Sequence, residues 1–344
     1  MLYAIFSLHS WAASSPLVVL APGALEGLNY DQAVKRVEPL LKSIQFTWPS
    51  AATIDGVPLS SAPVKSFARA ATVAKFAAVS NVIELELRPF LPADPEERTA
   101  KVWDLYAKAY DRAVLYCTGY REMVATVSFY AGQLAAELKR PLQVLDAGSG
   151  TGNFPYLLSW EHPDWFFTLT DFSKGSLALA GKKMLSVQNP SSEKRNFLRL
   201  YQNLNDTHVG EAEVGTQDVI ILNNVLYNFP SDKKKSILTA LVKRLRAEGL
   251  LFLGEPLAEF QSIPTKKLEL FLGVAKSAVE HGSPFTEFDG ALLIAINRLL
   301  VTSSPSFMTF EAQGALGSSV GLKAIAGGVR YYNSIGFWVF QKPR

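Results

Sequence analysis

Apolar positions along this chain follow two periods, and the switch between them divides it. From Glu96 the period is helical. Val102, Leu105, Tyr106, Ala109, Tyr110, Ala113 and Val114 recur at three- and four-residue steps. After Gly119 a second stripe runs through Tyr120, Met123, Val124, Val127, Ala131, Leu134, Ala135 and Leu138. Two amphipathic helices are expected. From Pro141 onward, short apolar runs alternate with helical patterns. The runs expected as strands are Gln143–Leu145, Trp165–Leu169, Phe197–Tyr201, Val219–Leu222 and Leu250–Leu253. Helices are expected at Phe154–Trp160, Lys174–Val187 and Asp232–Ala247. The last puts Ile237, Leu238, Leu241, Val242 and Leu245 on one face, with Ser231 as cap and Gly249 as stop. Alternation of this kind predicts a mostly parallel sheet covered on both faces.

Both ends of the chain read differently. After Pro256 a helical face runs through Leu268, Phe271, Leu272, Ala275, Ala278 and Val279 to His281-Gly282, and another helix is expected from Asp289 to Val301. Two closing strands are expected at about Ser306–Glu311 and Gly336–Gln341, separated by a glycine-rich stretch from Gly314 to Gly328. Leu91-Pro92-Ala93-Asp94-Pro95 is a breaker that marks a module boundary. Before it, helices are expected at Asp31–Ile44 and Val64–Val79 and a strand at Val82–Arg88. Lys65, Arg69 and Lys75 make the second of those helices mildly cationic, which suits a solvated face.

Composition narrows the function classes. Of 344 residues 48% are apolar and 19% charged, enough for a sizeable core and too apolar for global disorder. A net charge of +3 does not point to a nucleic-acid partner or to an anionic membrane. The single Cys117 excludes an internal disulfide and a thiolate metal cluster, and His9, His162, His208 and His281 lack metal-ligand spacing. No metal is expected. The first 25 residues carry no Lys, Arg, Asp or Glu, but Met1-Leu2-Tyr3 gives no basic n-region, and His9, Ser10 and Pro16 interrupt the apolar run. The expectation is a soluble, cytoplasmic chain without stable membrane insertion.

The chemistry centres on Val144-Leu145-Asp146-Ala147-Gly148-Ser149-Gly150-Thr151-Gly152-Asn153-Phe154. A strand, a glycine turn and a helix start in that order form the ligand end of a doubly wound sheet. A dinucleotide fold wants G-x-G-x-x-G, and Asn153 stands in the third slot. The competing pattern, acid-x-G-x-G-x-G, is met by Asp146, Gly148, Gly150 and Gly152. An acid just before the turn suits a cation better than a pyrophosphate, so a ligand with an amino-acid end, such as S-adenosylmethionine, is favoured.

From about Val102 to the C-terminus the chain resembles the class I, Rossmann-like S-adenosylmethionine-dependent methyltransferases. The resemblance rests on the glycine turn and on Phe167-Thr168-Leu169-Thr170-Asp171-Phe172-Ser173, which is similar to the family's second strand. It rests also on Asp218 to Pro230 as the fourth strand and its loop, and on Arg244 to Pro256 as helix, turn and fifth strand. Ile335-Gly336-Phe337-Trp338-Val339-Phe340 looks like the family's antiparallel last strand. The resemblance implies a doubly wound α/β fold with a mostly parallel seven-stranded sheet. It divides the chain into an N-terminal, largely helical extension (1–95), a helical lid (96–140) and a methyltransferase domain (141–344) with a helical insertion at about 257–303.

The resemblance also implies roles. Gly148, Gly150 and Gly152 would let the backbone approach the methionine part of the cofactor, and Asp146 would orient that turn. Asp171 would accept from the ribose hydroxyls and Phe172 would pack on the adenine. Asn203 stands where the family often has an acid for the adenine amino group, and Asn223 would line the methyl-donor pocket. Candidates for a general base are Tyr227, Glu255 and His281, though His281 in a last helical turn is equally explained by the helix dipole. Asn223-Asn224-Val225-Leu226 is not the Asn-Pro-Pro-Tyr loop of many base and glutamine N-methylating enzymes. A small-molecule acceptor methylated on oxygen or carbon is therefore expected, aromatic or lipid-like if the helices around the site form an apolar lid. The alternative is a catalytically silent S-adenosylmethionine-binding scaffold or regulatory subunit that works through its N-terminal region.

Overall fold

The structure is a computed structural model that describes residues 53–54, 57–58, 94–187, 196–204, 213–258, 281–283, 306–330 and 334–344. The expected helices at 31–44, 64–79, 265–280 and 289–301, and the strand at 82–88, lie outside the described residues. The chain divides into two compact units, Met1–Cys117 with Gln261–Ser303, and Thr118–Phe260 with Ser304–Arg344.

In the first unit a short hairpin pairs Thr53–Ile54 with Val57–Pro58. Helix α1 spans Pro95–Val114. Its start follows from the breaker sequence. Asp94 is the N-cap and accepts from the Glu97 N–H at 2.9 Å, while Pro95 occupies the first helical position, where no N–H is needed.

The second unit begins with α2 (Thr118–Leu138), so the second of the two expected amphipathic helices goes with the sheet. The sheet has seven strands: β1 (Gln143–Ala147), β2 (Phe166–Asp171), β3 (Phe197–Tyr201), β4 (Gln217–Asn223), β5 (Leu245–Pro256), β6 (Lys323–Arg330) and β7 (Ile335–Gln341). Their order across the sheet is β3-β2-β1-β4-β5-β7-β6. Neighbours from β3 to β5 are parallel, and β7 is antiparallel to both β5 and β6. The remaining helices are α3 (Asn153–Glu161), α4 (Lys174–Val187), α5 (Ser231–Arg244) and α6 (Phe310–Ser319).

Residues two apart share a sheet face, which sorts the core. Leu145, Ala147, Ile220, Leu222, Leu251 and Leu253 pack with Ile237, Leu238 and Leu241 of α5 and with Phe340. The opposite face carries Asp146 and its partner Leu169, and there Gly152 approaches both Leu169 and Ala180 of α4. Helices thus cover both faces, as the continuous apolar runs of the strands require. At the N-terminal end of β4, Asp218 is buried and accepts from Arg140 (2.6 and 2.7 Å), Arg246 (2.7 Å) and the Gln143 N–H (2.9 Å). Burial pushes its carboxyl up, but these donors outweigh burial and hold it below the usual carboxylate range. The network pins β1 to β4 at the end of the sheet away from the glycine turn.

Three expectations need correction. The segment 306–309 is not a strand: only Met308 bridges, to Leu257, and Thr309 then caps α6 through the Ala312 N–H at 3.1 Å. The glycine-rich stretch is instead α6 followed by β6. Its glycines make room for rings, since a Cβ at Gly314 or Gly327 would sit 2.8 or 2.6 Å from Trp338, and one at Gly317 would sit 2.3 Å from Phe340. Lastly, α5 ends at Arg244 rather than at Gly249, and Ser231 lies inside the helix with its hydroxyl on Ser306 at 2.6 Å. Leu245 turns to extended backbone and begins β5.

Candidate functional site

The site is built at the carboxyl ends of β1, β2 and β4. After Ala147 the chain turns through Gly148-Ser149-Gly150-Thr151-Gly152 into α3. The glycines take φ of +72°, +53° and +70°, a region nearly closed to residues with a Cβ. A Cβ at Gly148 would come within 2.6 Å of Val225, and one at Gly152 within 2.9 Å of Leu169 and Ala180. At Gly150 it would meet nothing within 4 Å. The outer two glycines are thus packed in, and the middle one turns bare backbone toward open space. No side chain caps the N-terminus of α3, which starts from Gly152.

Contacts from β2 fix the turn. Gly148 and Ser149 both donate their N–H to the Thr170 carbonyl at 2.8 Å. Gly150 donates to Asp171 Oδ2 at 2.8 Å, and the other Asp171 oxygen accepts from the Ser173 N–H at 2.8 Å. Asp171, 7% exposed, therefore ends β2 with its carboxylate against the turn. Phe172 follows it and is half-buried, as is Asn203 just past β3. Asp146 is buried beneath the turn, and burial first, then the charge of Asp171, pushes its carboxyl up to about 8.

Across the turn, β4 ends in Asn223, and Asn224 follows it. Asn223 packs so closely on β5 that a Cβ at Gly254 would lie 2.1 Å from its Oδ1. Asn224 has φ +58° and donates its N–H to the Gly254 carbonyl at 2.7 Å. The side-chain oxygens of Asn223, Asn224 and Ser149 are all buried without a hydrogen-bond partner. Unsatisfied buried acceptors are costly, and a cluster at one strand end marks where a donor-bearing ligand fits. The bare Gly150 backbone, the carboxylates of Asp146 and Asp171 and these oxygens suit an amino-acid end and a ribose.

The base candidates separate. Tyr227 lies in the one-turn 3-10 helix Leu226–Asn228, half-buried, with its ring parallel to Phe307 at 5.8 Å. Glu255 points inward and not into the site. It is 0% exposed, its Oε1 accepts from the Val225 and Leu226 N–H groups at 3.0 and 2.7 Å, and its Oε2 accepts from Tyr227 at 2.9 Å. Burial pushes its carboxyl up to about 7 despite those donors and Lys234. With no exposed surface, it is poorly placed to take a proton from an acceptor. His281 is exposed in a turn of the other unit.

Lys234 was not expected here. Its side chain is 2% exposed and donates to the carbonyls of Leu226 and of Phe229, the latter at 2.9 Å. The one sequence signal is its spacing of three, four and seven from Ile237, Leu238 and Leu241, which puts it alone of the Lys233–Lys235 run on the apolar face of α5. Gln313, also fully buried, donates to the Glu255 carbonyl at 3.0 Å.

The family described as "Methyltransferase domain" matches residues 145–251. Comparison with curated proteins gives no match. The CurJ carbon methyltransferase structure superposes with a TM-score of 0.51 at 17% identity, covering 80% of this chain and 67% of that one. The magnesium protoporphyrin IX methyltransferase of Synechocystis PCC 6803 with bound S-adenosylmethionine gives 0.46 at 14% identity, covering 73% and 98%. The 1,6-didemethyltoxoflavin-N1-methyltransferase of Burkholderia thailandensis, with its substrate and S-adenosylhomocysteine, gives 0.40 at 13%, covering 66% and 79%. The fold is that of the class I, Rossmann-like methyltransferases. No helix among the described residues is long and apolar enough to cross a membrane.

Proposed function

We propose that this chain is an S-adenosylmethionine-dependent methyltransferase acting on a small-molecule acceptor, at oxygen or carbon. The observation that carries the reading is the turn Gly148–Gly152, bound by its own N–H groups to Thr170 and Asp171, together with the buried, unpartnered oxygens of Asn223 and Asn224 at the end of the neighbouring strand. In this reading the bare backbone at Gly150 lies along the methionine part of the cofactor, with Gly148 and Gly152 holding the turn's shape. Asp146 and the β4 amide oxygens receive the ammonium, directly or through water. Asp171 accepts from the ribose hydroxyls, for which a carboxylate offers two oxygens in one plane. Phe172 packs on the adenine, and the Asn203 side chain meets its amino group. When bound, the cofactor supplies an electrophilic methyl group on a sulfonium.

Rate enhancement then comes mainly from holding the acceptor in line with that methyl group. Tyr227 stacks on Phe307, and in this reading that pair lines the acceptor side, which suits an aromatic or lipid-like acceptor. Tyr227 is the base candidate that the loop after β4 carries; Glu255 serves the same loop from below. The test is transfer of labelled methyl from S-adenosylmethionine into a pool of extracted small molecules. Label in an organic-soluble product supports the reading. Binding of S-adenosylhomocysteine with no transfer to any pool would favour a catalytically silent scaffold.

A further inference from the structure

The loop after β4 is held from both sides by two buried charges. A single 3-10 turn has too few internal hydrogen bonds to hold a shape in water, and its leading N–H groups have no partner within it. Here the N–H groups of Val225, Leu226 and Tyr227 all go to one carboxylate, Glu255, at 2.7–3.0 Å. On the other side the carbonyls of Leu226 and Phe229 both go to one ammonium, Lys234. Glu255 comes from the end of β5 and Lys234 from the first turns of α5, so two separate elements grip the turn. Gln313 fixes the Glu255 backbone at 3.0 Å, and Val225, the first gripped residue, is the side chain that Gly148 abuts.

Either charge alone would be expensive in this place. A buried unpaired ion costs several kcal/mol after relaxation, on the order of a small domain's whole stability margin. An apolar pair would avoid that cost but would leave three N–H groups and two carbonyls of the turn without these partners. Placing both ions around one short turn is accounted for if the turn's position matters.

We propose that Glu255 and Lys234 are a positioning pair that holds the Val225–Phe229 turn, and with it Tyr227, as a fixed wall of the acceptor side of the site. They touch neither cofactor nor acceptor. They act through the turn, between peptide N–H groups on one side and peptide carbonyls on the other. The functional part of this inference rests on the methyltransferase reading; the clamp itself does not.

The experiment combines amide hydrogen exchange with cofactor binding and transfer, on the full chain. In the unaltered protein the amides of Val225, Leu226 and Tyr227, held by the Glu255 carboxylate, should exchange slowly. Glu255→Gln should speed all three by about tenfold or more, and Lys234→Met should do so by opening the carbonyl side. The amides of β1 and β2 should keep their protection. The dissociation constant of S-adenosylhomocysteine should stay within about twofold while transfer at saturating cofactor falls about tenfold. Fast exchange of the three amides in the unaltered protein would overturn the clamp even if both variants failed to fold. Variants that transfer at the unaltered rate would overturn its positioning role. Slow amides in a protein that binds S-adenosylhomocysteine but transfers nothing would leave the clamp standing and count against the methyltransferase reading instead.

Discussion

The residue with the most unusual chemistry in the site is Asp146. It is buried beside a second carboxylate, and its pKa stands near 8 instead of 3.8. Near neutral pH it is therefore mostly protonated, because ionisation would place a charge in a poorly solvated space next to Asp171. A cofactor ammonium nearby favours the ionised form and lowers that pKa, so binding must expel a proton. Calorimetric titration with S-adenosylhomocysteine near pH 7, in two buffers of different ionisation enthalpy, should show up to about one proton released. Affinity should rise as the pH is raised toward about 8 and level off above it. Asp146→Asn should abolish the buffer dependence. An enthalpy identical in both buffers would separate Asp146 from the ammonium.

Residue-level chemistry was legible where a residue type has one use at one place. Asp146, the three glycines and Asp171 stand in a fixed order around a strand end, and that order foretold where the structure places them. Glu255 was legible as an acid at the right strand end, but not by direction. A strand buried on both faces gives no sign of which way its last side chain turns. Lys234 sits in a run of three lysines, and only its spacing from Ile237, Leu238 and Leu241 marks it as the buried one. Asn223 and Asn224 show a further limit: unsatisfied acceptors can be recognised only once everything that could have satisfied them is in place.

At the scale of elements, period foretold most of the sheet unit, and caps and glycine misled. In the sequence, the stretch from Gly314 to Gly328 lacks the side chains that signal either helix or strand. In the fold it is both, because Trp338 and Phe340 supply from β7 the bulk that those glycines omit. Intrinsic preference and packing therefore oppose each other at Gly317. Alanine is the better helix former by about 1 kcal/mol. An added methyl there would press to 2.3–2.8 Å from the Phe340 ring, which is fully buried. Overpacking of a tight core costs about 1–3 kcal/mol, so packing should win. Gly317→Ala is expected to lower the denaturant midpoint at an unchanged slope. A raised midpoint would show that α6 can move off β7.

At the scale of the molecule, the strand order β3-β2-β1-β4-β5-β7-β6 places the crossover between β1 and β4. Chains leave these neighbouring strands toward opposite faces, opening a crevice at their carboxyl ends. The glycine turn lies on one side of that crevice and Asn223, Asn224 and the clamped Tyr227 turn on the other. The central claim is that this crevice binds S-adenosylmethionine through Asp171 and the glycine turn. It is tested most directly by titrating the protein and its Asp171→Ala variant with S-adenosylhomocysteine, with NAD as the control ligand. The account predicts saturable one-site binding to the unaltered protein, a loss of more than about tenfold in the variant, or about 1.4 kcal/mol, and no binding of NAD. An unchanged dissociation constant in Asp171→Ala would contradict the ribose assignment. Binding of NAD in place of S-adenosylhomocysteine would contradict the account as a whole.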